Sequence, residues 1–260
     1  MRGKILSALA SLLFGLLIGN QPLQAENTVV CIPQFAEGFD GQSIWQTQLF
    51  LDGRTFGANQ AVIQVFSPRG QLFHRIVPGQ FPFLEAFFGR AGLPVLGPIP
   101  ILGPFAFRDL LFQPLQTGFL IIESPGTINL TAVIRRFSLS GILLSELVIS
   151  PFDPFRRATL LIEEIRAREL AFALTNNDTL KRALGRFDFF PLGSLVPLFS
   201  FPFDIAPRSQ FSSFLFDMFP ELVSSGLRGF IRISSDSPIS LLAVSIDGNG
   251  LRQVPVIIEE

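Results

Sequence analysis

The chain has no tyrosine, and it carries only one cysteine, one histidine and one tryptophan in 260 residues. Each scarcity excludes something. One cysteine, Cys31, cannot close an internal disulfide, so packing and backbone hydrogen bonds must hold the fold. Its thiol is expected as a small buried hydrophobe, with an exposed reactive thiol or an intermolecular bridge as the alternative. Zinc sites are built from clusters of Cys and His, and one of each cannot make a standard protein-only site. A Ser-His-Asp triad has no support either, because no Gly-x-Ser-x-Gly elbow occurs. His74, beside Arg75 at a strand end, reads as a surface residue, and a Cys31–His74 dyad is only a formal possibility. Sugar-binding surfaces usually present Trp and Tyr, so the missing tyrosine counts against that class.

Charge is also scarce. Charged residues make up 16% of the chain, with 20 basic against 21 acidic side chains. Nothing resembles the clustered Lys and Arg of a nucleic-acid interface, so nucleic acid is excluded as a partner. No phosphate-cradling glycine motif is present. Asp247-Gly248-Asn249-Gly250 and Asn176-Asn177-Asp178-Thr179 could offer oxygens to calcium, but such sequences are also ordinary hairpin turns. The acidic pairs Glu163-Glu164 and Glu259-Glu260 read as solvated charge, since neighbours on a strand point to opposite faces. No catalytic, cofactor-binding or metal-binding residue is therefore assigned, and no cofactor is expected.

What the chain has in abundance is phenylalanine, 30 residues of it, which gives large apolar burial with no polar atom to satisfy. The first 25 residues have the order of a secretory signal: basic Arg2 and Lys4, the uncharged run Ile5 to Ile18, the breakers Gly19 and Pro22, then Leu23-Gln24-Ala25. The apolar run is shorter than the roughly 20 residues that span a bilayer. Cleavage after Ala25 would deliver the mature chain to the periplasm or the medium, with no transmembrane span of its own.

Period-2 and short apolar runs dominate the rest. Strands are expected at Val62–Phe66, Phe119–Ile122, Ile128–Ile134, Ile142–Ile149, Phe230–Ile233, Ile239–Ile246 and Val254–Ile258. Ser212 to Leu222 has helical spacing, with Ser212 placed as a cap. Arg157 to Leu170 suits either a helix or two strands joined by a charged turn, and the second reading is preferred. A repeat also emerges. At an offset of 111, Gly118-Phe119 meets Gly229-Phe230 and Leu130 meets Leu241. At an offset of 123, Leu51 meets Leu174, Phe66 meets Phe189 and Gly70 meets Gly193. The expected fold is all-β: two related antiparallel β-sandwich, immunoglobulin-like domains with a short helix near 212–222. The first spans 26–152, with a Pro/Phe-rich insert at 76–112, and the second spans 153–260. One larger sandwich made from both halves is the competing architecture.

The first half carries Phe35-Ala36-Glu37-Gly38, Trp45-Gln46-Thr47-Gln48-Leu49 and Val65-Phe66-Ser67-Pro68-Arg69-Gly70. The second half adds Ile205-Ala206-Pro207, Phe214 to Leu222, Gly229-Phe230-Ile231-Arg232-Ile233 and Ser237-Pro238-Ile239-Ser240. Together they resemble a group of uncharacterised bacterial exported proteins built of β-sandwich repeats. The resemblance implies a fold and a compartment, and it brings no catalytic residue or ligand with it. The expected function is a non-enzymatic exported structural or binding module. It would meet a protein or cell-envelope partner through its Pro/Phe-rich loops, at 76–112 and at the shorter Pro191–Phe203 stretch. The alternatives are a secreted hydrolase using Asp and Glu carboxylates and, more distantly, an outer-membrane barrel.

Overall fold

A computed structural model describes residues 28–51, 60–77, 98–100, 110–126, 128–151, 153–162, 169–224, 228–247 and 250–259. Residues 1–25, read from the sequence as a secretory signal, most of the 76–112 insert and the pair Glu163-Glu164 lie outside them. The described chain is all-β, in two antiparallel sheets with one short helix.

The first half comprises β1 (Thr28–Phe39), β2 (Ile44–Leu51), β3 (Val62–Phe66), β4 (Leu72–Ile76), β5 (Pro98–Pro100), β6 (Gln116–Ser124), β7 (Leu130–Phe137) and β8 (Leu143–Ile149). Its sheet runs β4-β3-β6-β1-β2-β7-β8, with β5 alongside β2. The sheet folds over at β1, which shifts register between Ile32 and Phe35 and then turns into β2 through Gly38 and Phe39. A bulge adds local bend and twist, and this one brings two layers face to face. Ile32, Val65, Leu120 and Ile122 of one layer meet Leu49, Leu51, Ala132 and Leu147 of the other in a single core. Thr47, fully buried on β2, locks the fold by accepting from the Ala36 N–H at 2.9 Å and donating to the Ala36 carbonyl at 2.8 Å.

The second half comprises β9 (Phe155–Ile162), β10 (Leu170–Asn176), β11 (Ala183–Pro191), β12 (Phe199–Ile205), β13 (Ser209–Phe214), α1 (Leu215–Met218), β14 (Gly229–Asp247), β15 (Gly250–Gln253) and β16 (Ile257–Glu259). The strand reading of 157–170 holds at both ends: Ala158, Leu160 and Ile162 are buried with period 2, and β10 begins at Leu170. Strand β14 is the spine. Its first part lies between β11 and β9, and its second part between β10 and β15. Phe172, Phe187, Phe189 and Phe203 fill the core between these layers.

Three expectations about element limits need correction. Val254–Ile258 is not one strand, because β15 ends at Gln253 against β14 and β16 starts at Ile257 against β9. The helix does not start at a Ser212 cap. Ser212 pairs with Ala173 in the β10–β13 ladder, strand β13 continues to Phe214, and only Leu215–Met218 is helical before a 3-10 turn at Pro220–Ser224. The ladder satisfies the backbone of 212–214 first, and Leu215, Met218, Phe219 and Leu222 still reach the core. Nor are Phe230–Ile233 and Ile239–Ile246 separate strands. Strand β14 runs straight through, because Pro238 sits where the strand changes partners: β11 pairs as far as Ser235 and β10 begins at Ile239. No ladder bond is wanted there, so a residue without an N–H costs nothing.

The repeat is visible in the pairing. Leu51 pairs with Leu130, and their counterparts Leu174 and Leu241 pair likewise. Phe66 pairs with and stacks on Phe119, with ring centroids 5.2 Å apart; Phe190 does the same with Phe230 at 4.7 Å. The counterpart of Phe66 in the repeat is thus Phe190 rather than Phe189, and the second turn is one residue shorter. Gly118 and Gly229 are needed in front of these pairs for space. A Cβ would stand 1.9 Å from the Phe66 carbonyl oxygen at Gly118 and 2.2 Å from that of Phe190 at Gly229.

Candidate functional site

The two halves are joined by a broad seam. Strands β10, β14 and β15 alternate their side chains. Phe172, Leu174, Leu241 and Ala243 enter the second core, while Ala173, Leu242, Val244 and Leu251 belong to the first half's core. A turn adds polar pins. Arg208 donates to Gln64 at 3.0 Å and stands 5.6 Å above the Phe66 ring, and Gln210 donates to Gln34 at 2.7 Å and to the Pro33 carbonyl. Arg208 holds φ at +47°, the left-handed region that costs a non-glycine residue about 1 kcal/mol or more. Its long side chain, engaged in the other half, is what offsets that.

Part of the seam is not filled. A cavity of about 460 Å³ opens between the halves. The first half contributes Ala36, Trp45, Ile134 and Leu147, and the second contributes Ala171, Ala173, Leu242, Val244 and Leu251. Alanines at 36, 171 and 173 leave room that larger side chains would occupy. Polar atoms come from Gln34, Thr117, Ser212 and Ser213, and Asp217 at the foot of α1 is the one charged residue of the lining. The volume lies within the range of small-molecule sites, and the apolar wall with a few polar groups is their usual chemistry. Trp45 is fixed there: its indole N–H donates to Asp40 at 2.7 Å, and Arg136 sits 5.5 Å over its ring.

The residues weighed for chemistry lie apart. His74 is exposed on β4, at the far edge of the sheet from Cys31 on β1, with two strands between them. At about 4.8 Å per strand that is well beyond hydrogen-bond reach, so they form no dyad. Cys31 is fully buried in the seam, and burial pushes its thiol up to about 12 despite the side chains of Ser240, Thr175 and Asn177 around it. Asp188, a buried carboxylate, is occupied by Arg186 at 2.8 Å and Ser200 at 2.5 Å. Glu259 accepts from Thr159. In the 176–179 turn, Asp178 accepts from the Leu180 and Lys181 N–H groups, which hold its carboxyl below the ordinary range. Asn176 donates to the carbonyls of Lys181, Ile205 and Ala206. These oxygens and amides serve the turn itself. Gly248 and Asn249 lie outside the described residues.

Of the two loops expected to carry binding, 78–97 and 101–109 lie outside the described residues. The other is on view: Leu192, Leu195, Val196 and Leu198 are exposed at the tip of the β11–β12 hairpin. The cavity itself was not anticipated, because alanines on strands carry no sequence signal and the seam exists only once both halves are paired. Among the described residues no helix is long and apolar enough to cross a membrane. No protein family, curated protein or solved structure matches this chain.

Proposed function

We propose that the chain is a non-enzymatic exported binding module that holds a small apolar molecule in the cavity between its halves. The carrying observation is the cavity: about 460 Å³, walled by apolar side chains from two rigid sheets, with polar atoms confined to a few positions. Its location at a junction between two folded units is where ligand pockets concentrate. The non-enzymatic reading is supported by where the reactive groups sit. The thiol is enclosed, the histidine is on a distant edge, and Asp188, one of two buried carboxylates with Glu37, is already paired. Export rests on the leader-like order of residues 1–25, and each half is read as an immunoglobulin-like domain, 26–152 and 153–260.

Trp45 makes the test simple, since it is the only tryptophan and it lines the cavity. Titrating the protein with N-phenyl-1-naphthylamine and with an alkyl-chain series should change Trp45 emission saturably, with one site per chain. Ala173→Leu and Ala171→Leu, which fill the cavity, should each weaken binding about tenfold, roughly 1.4 kcal/mol. If no probe in the series saturates, or if both filling variants bind like the parent, the cavity is not the site.

A further inference from the structure

The apolar tip of the β11–β12 hairpin belongs to a larger pattern on the outer face of the second half, away from the cavity. Paired residues on adjacent strands share a face, so side chains can be followed in rows across the sheet. One row is Thr159, Arg232, Asp188 and Ser200, each paired with the next. Another, two residues closer to the tip, is Leu161, Phe230 and Phe190. Leu198, whose N–H reaches the Phe189 carbonyl at 2.8 Å, extends that row towards the hairpin. Polarity therefore changes along a line perpendicular to the strands, with exposed Arg228 beyond it beside Leu192, whose N–H its carbonyl accepts. On one side stand Arg232, Asp188 and the next row back, Arg157, Ser234 and Arg186. On the other side Leu161 is 49% exposed, and beyond it the tip presents Leu192 at 71%, Leu195 at 94% and Val196 at 70%. From Phe189 to Phe203 the chain carries no charge at all.

We propose that this end of the molecule docks on an anionic lipid surface, with the hairpin tip in the acyl boundary and the arginine row at the headgroups. Three features select lipid over a protein partner. A division across the strands matches a flat interface, whereas a protein-binding patch is an island with a polar rim. The tip pairs four of its six N–H groups within the protein, and a segment entering hydrocarbon needs such internal pairing. The Leu192 N–H donates to the Arg228 carbonyl, that of Ser194 to Pro191, that of Leu198 to Phe189, and that of Val196 to the Ser194 hydroxyl; the same hydroxyl donates to the Val196 carbonyl. Pro191 and Pro197 have no N–H to satisfy. Charge is complementary too: Arg157, Arg186 and Arg232 outnumber Asp188 and Glu259 on the rows behind the line, and cations there favour anionic headgroups. The tip is also free to reach out. Strand β11 begins at Ala183, paired with Ile205 near the Arg208 turn that grips the first half, and it ends at the tip some 25 Å away at about 3.3 Å per residue.

The test is flotation of the mature chain with vesicles of phosphatidylcholine alone and of phosphatidylcholine with phosphatidylglycerol. The parent should float with the mixed vesicles and only weakly with the neutral ones. Leu195→Asp combined with Val196→Asp should lower binding to the mixed vesicles at least about tenfold. Both positions are exposed, so the melting temperature and the Trp45 titration should not move, which separates this proposal from the cavity reading. Failure of the parent to float with either vesicle, or equal flotation of the double variant, would overturn the proposal. So would a parent dimer in light scattering that the double variant breaks, since the tip would then meet a second copy.

Discussion

Cys31 points out of the first half's core into the seam, where Thr175, Asn177 and Ser240 face it and, among the described residues, no cation lowers its pKa. A thiolate needs an electropositive or solvated setting, and this one has neither. Ellman's reagent should leave the native protein unlabelled at pH 8 and react fully once the chain is unfolded in guanidinium. The same burial sets a pH dependence. The folded thiol is raised from 9.0 to about 12, so its contribution to stability is complete below pH 9 and is lost as pH rises from there towards 12. The unfolded chain ionises first and is favoured. With no tyrosine and only Lys4 and Lys181 as lysines, few other groups titrate in that window. Denaturant midpoints should fall between pH 8 and pH 10.5 in the parent, and that slope should flatten in Cys31→Ala.

At the level of strands, the Gly-Phe openings at 118–119 and 229–230 are one device used twice. The glycine admits the neighbouring strand's carbonyl, and the following phenylalanine stacks on the partner's ring. Gly118→Ala and Gly229→Ala should each cost about 1–3 kcal/mol, because the contact is backbone and cannot swing aside. A midpoint shift without change of slope in urea would show it. The copies differ in what covers the ring stack. Arg232, two residues along β14, stands 5.2 Å over Phe190, whereas at the matching place in β6 the chain has Ile121, and Arg208 arrives from the other half to cover Phe66. This level was largely legible beforehand. Alternation marked β3, β7 and β8, and the 111-residue offset found the Gly-Phe pair. Less legible were the hand-over at Pro238 and the strand at Ser212–Phe214, because both depend on which partner stands alongside rather than on the residues themselves. The cavity depends on that still more: Ala36 and Ala173 look like any small strand residue until the halves meet.

For the molecule as a whole, the seam makes the halves one cooperative object. Ala173, Leu242, Val244 and Leu251 are core residues of a unit to which they do not belong in sequence. Heat should therefore unfold the parent in a single transition followed equally by Trp45 fluorescence and by far-ultraviolet dichroism. Leu242→Asp, which puts a carboxylate in the seam, should split it into two. Arg208 offers a finer probe. Arg208→Ala gives up the Gln64 hydrogen bond and the Phe66 contact and keeps a side chain at φ +47°; Arg208→Gly gives up the same contacts and relieves the backbone. The glycine variant should be the more stable of the two, by about 1 kcal/mol in urea unfolding.

Strand β14 runs from Gly229 to Asp247, with ladders on both edges from Gly229 to Ser234 and again at Val244 and Ser245. The first half has no such member, for β6 and β7 are separate strands joined through Pro125 and Gly126. Under load along its axis, β14 is a tie bar: over Gly229–Ser234 the bonds on its two edges are sheared together. A chain pulled from its ends should yield in the first half at the lower force, leaving the second half, and with it the apolar hairpin, intact on whatever it holds.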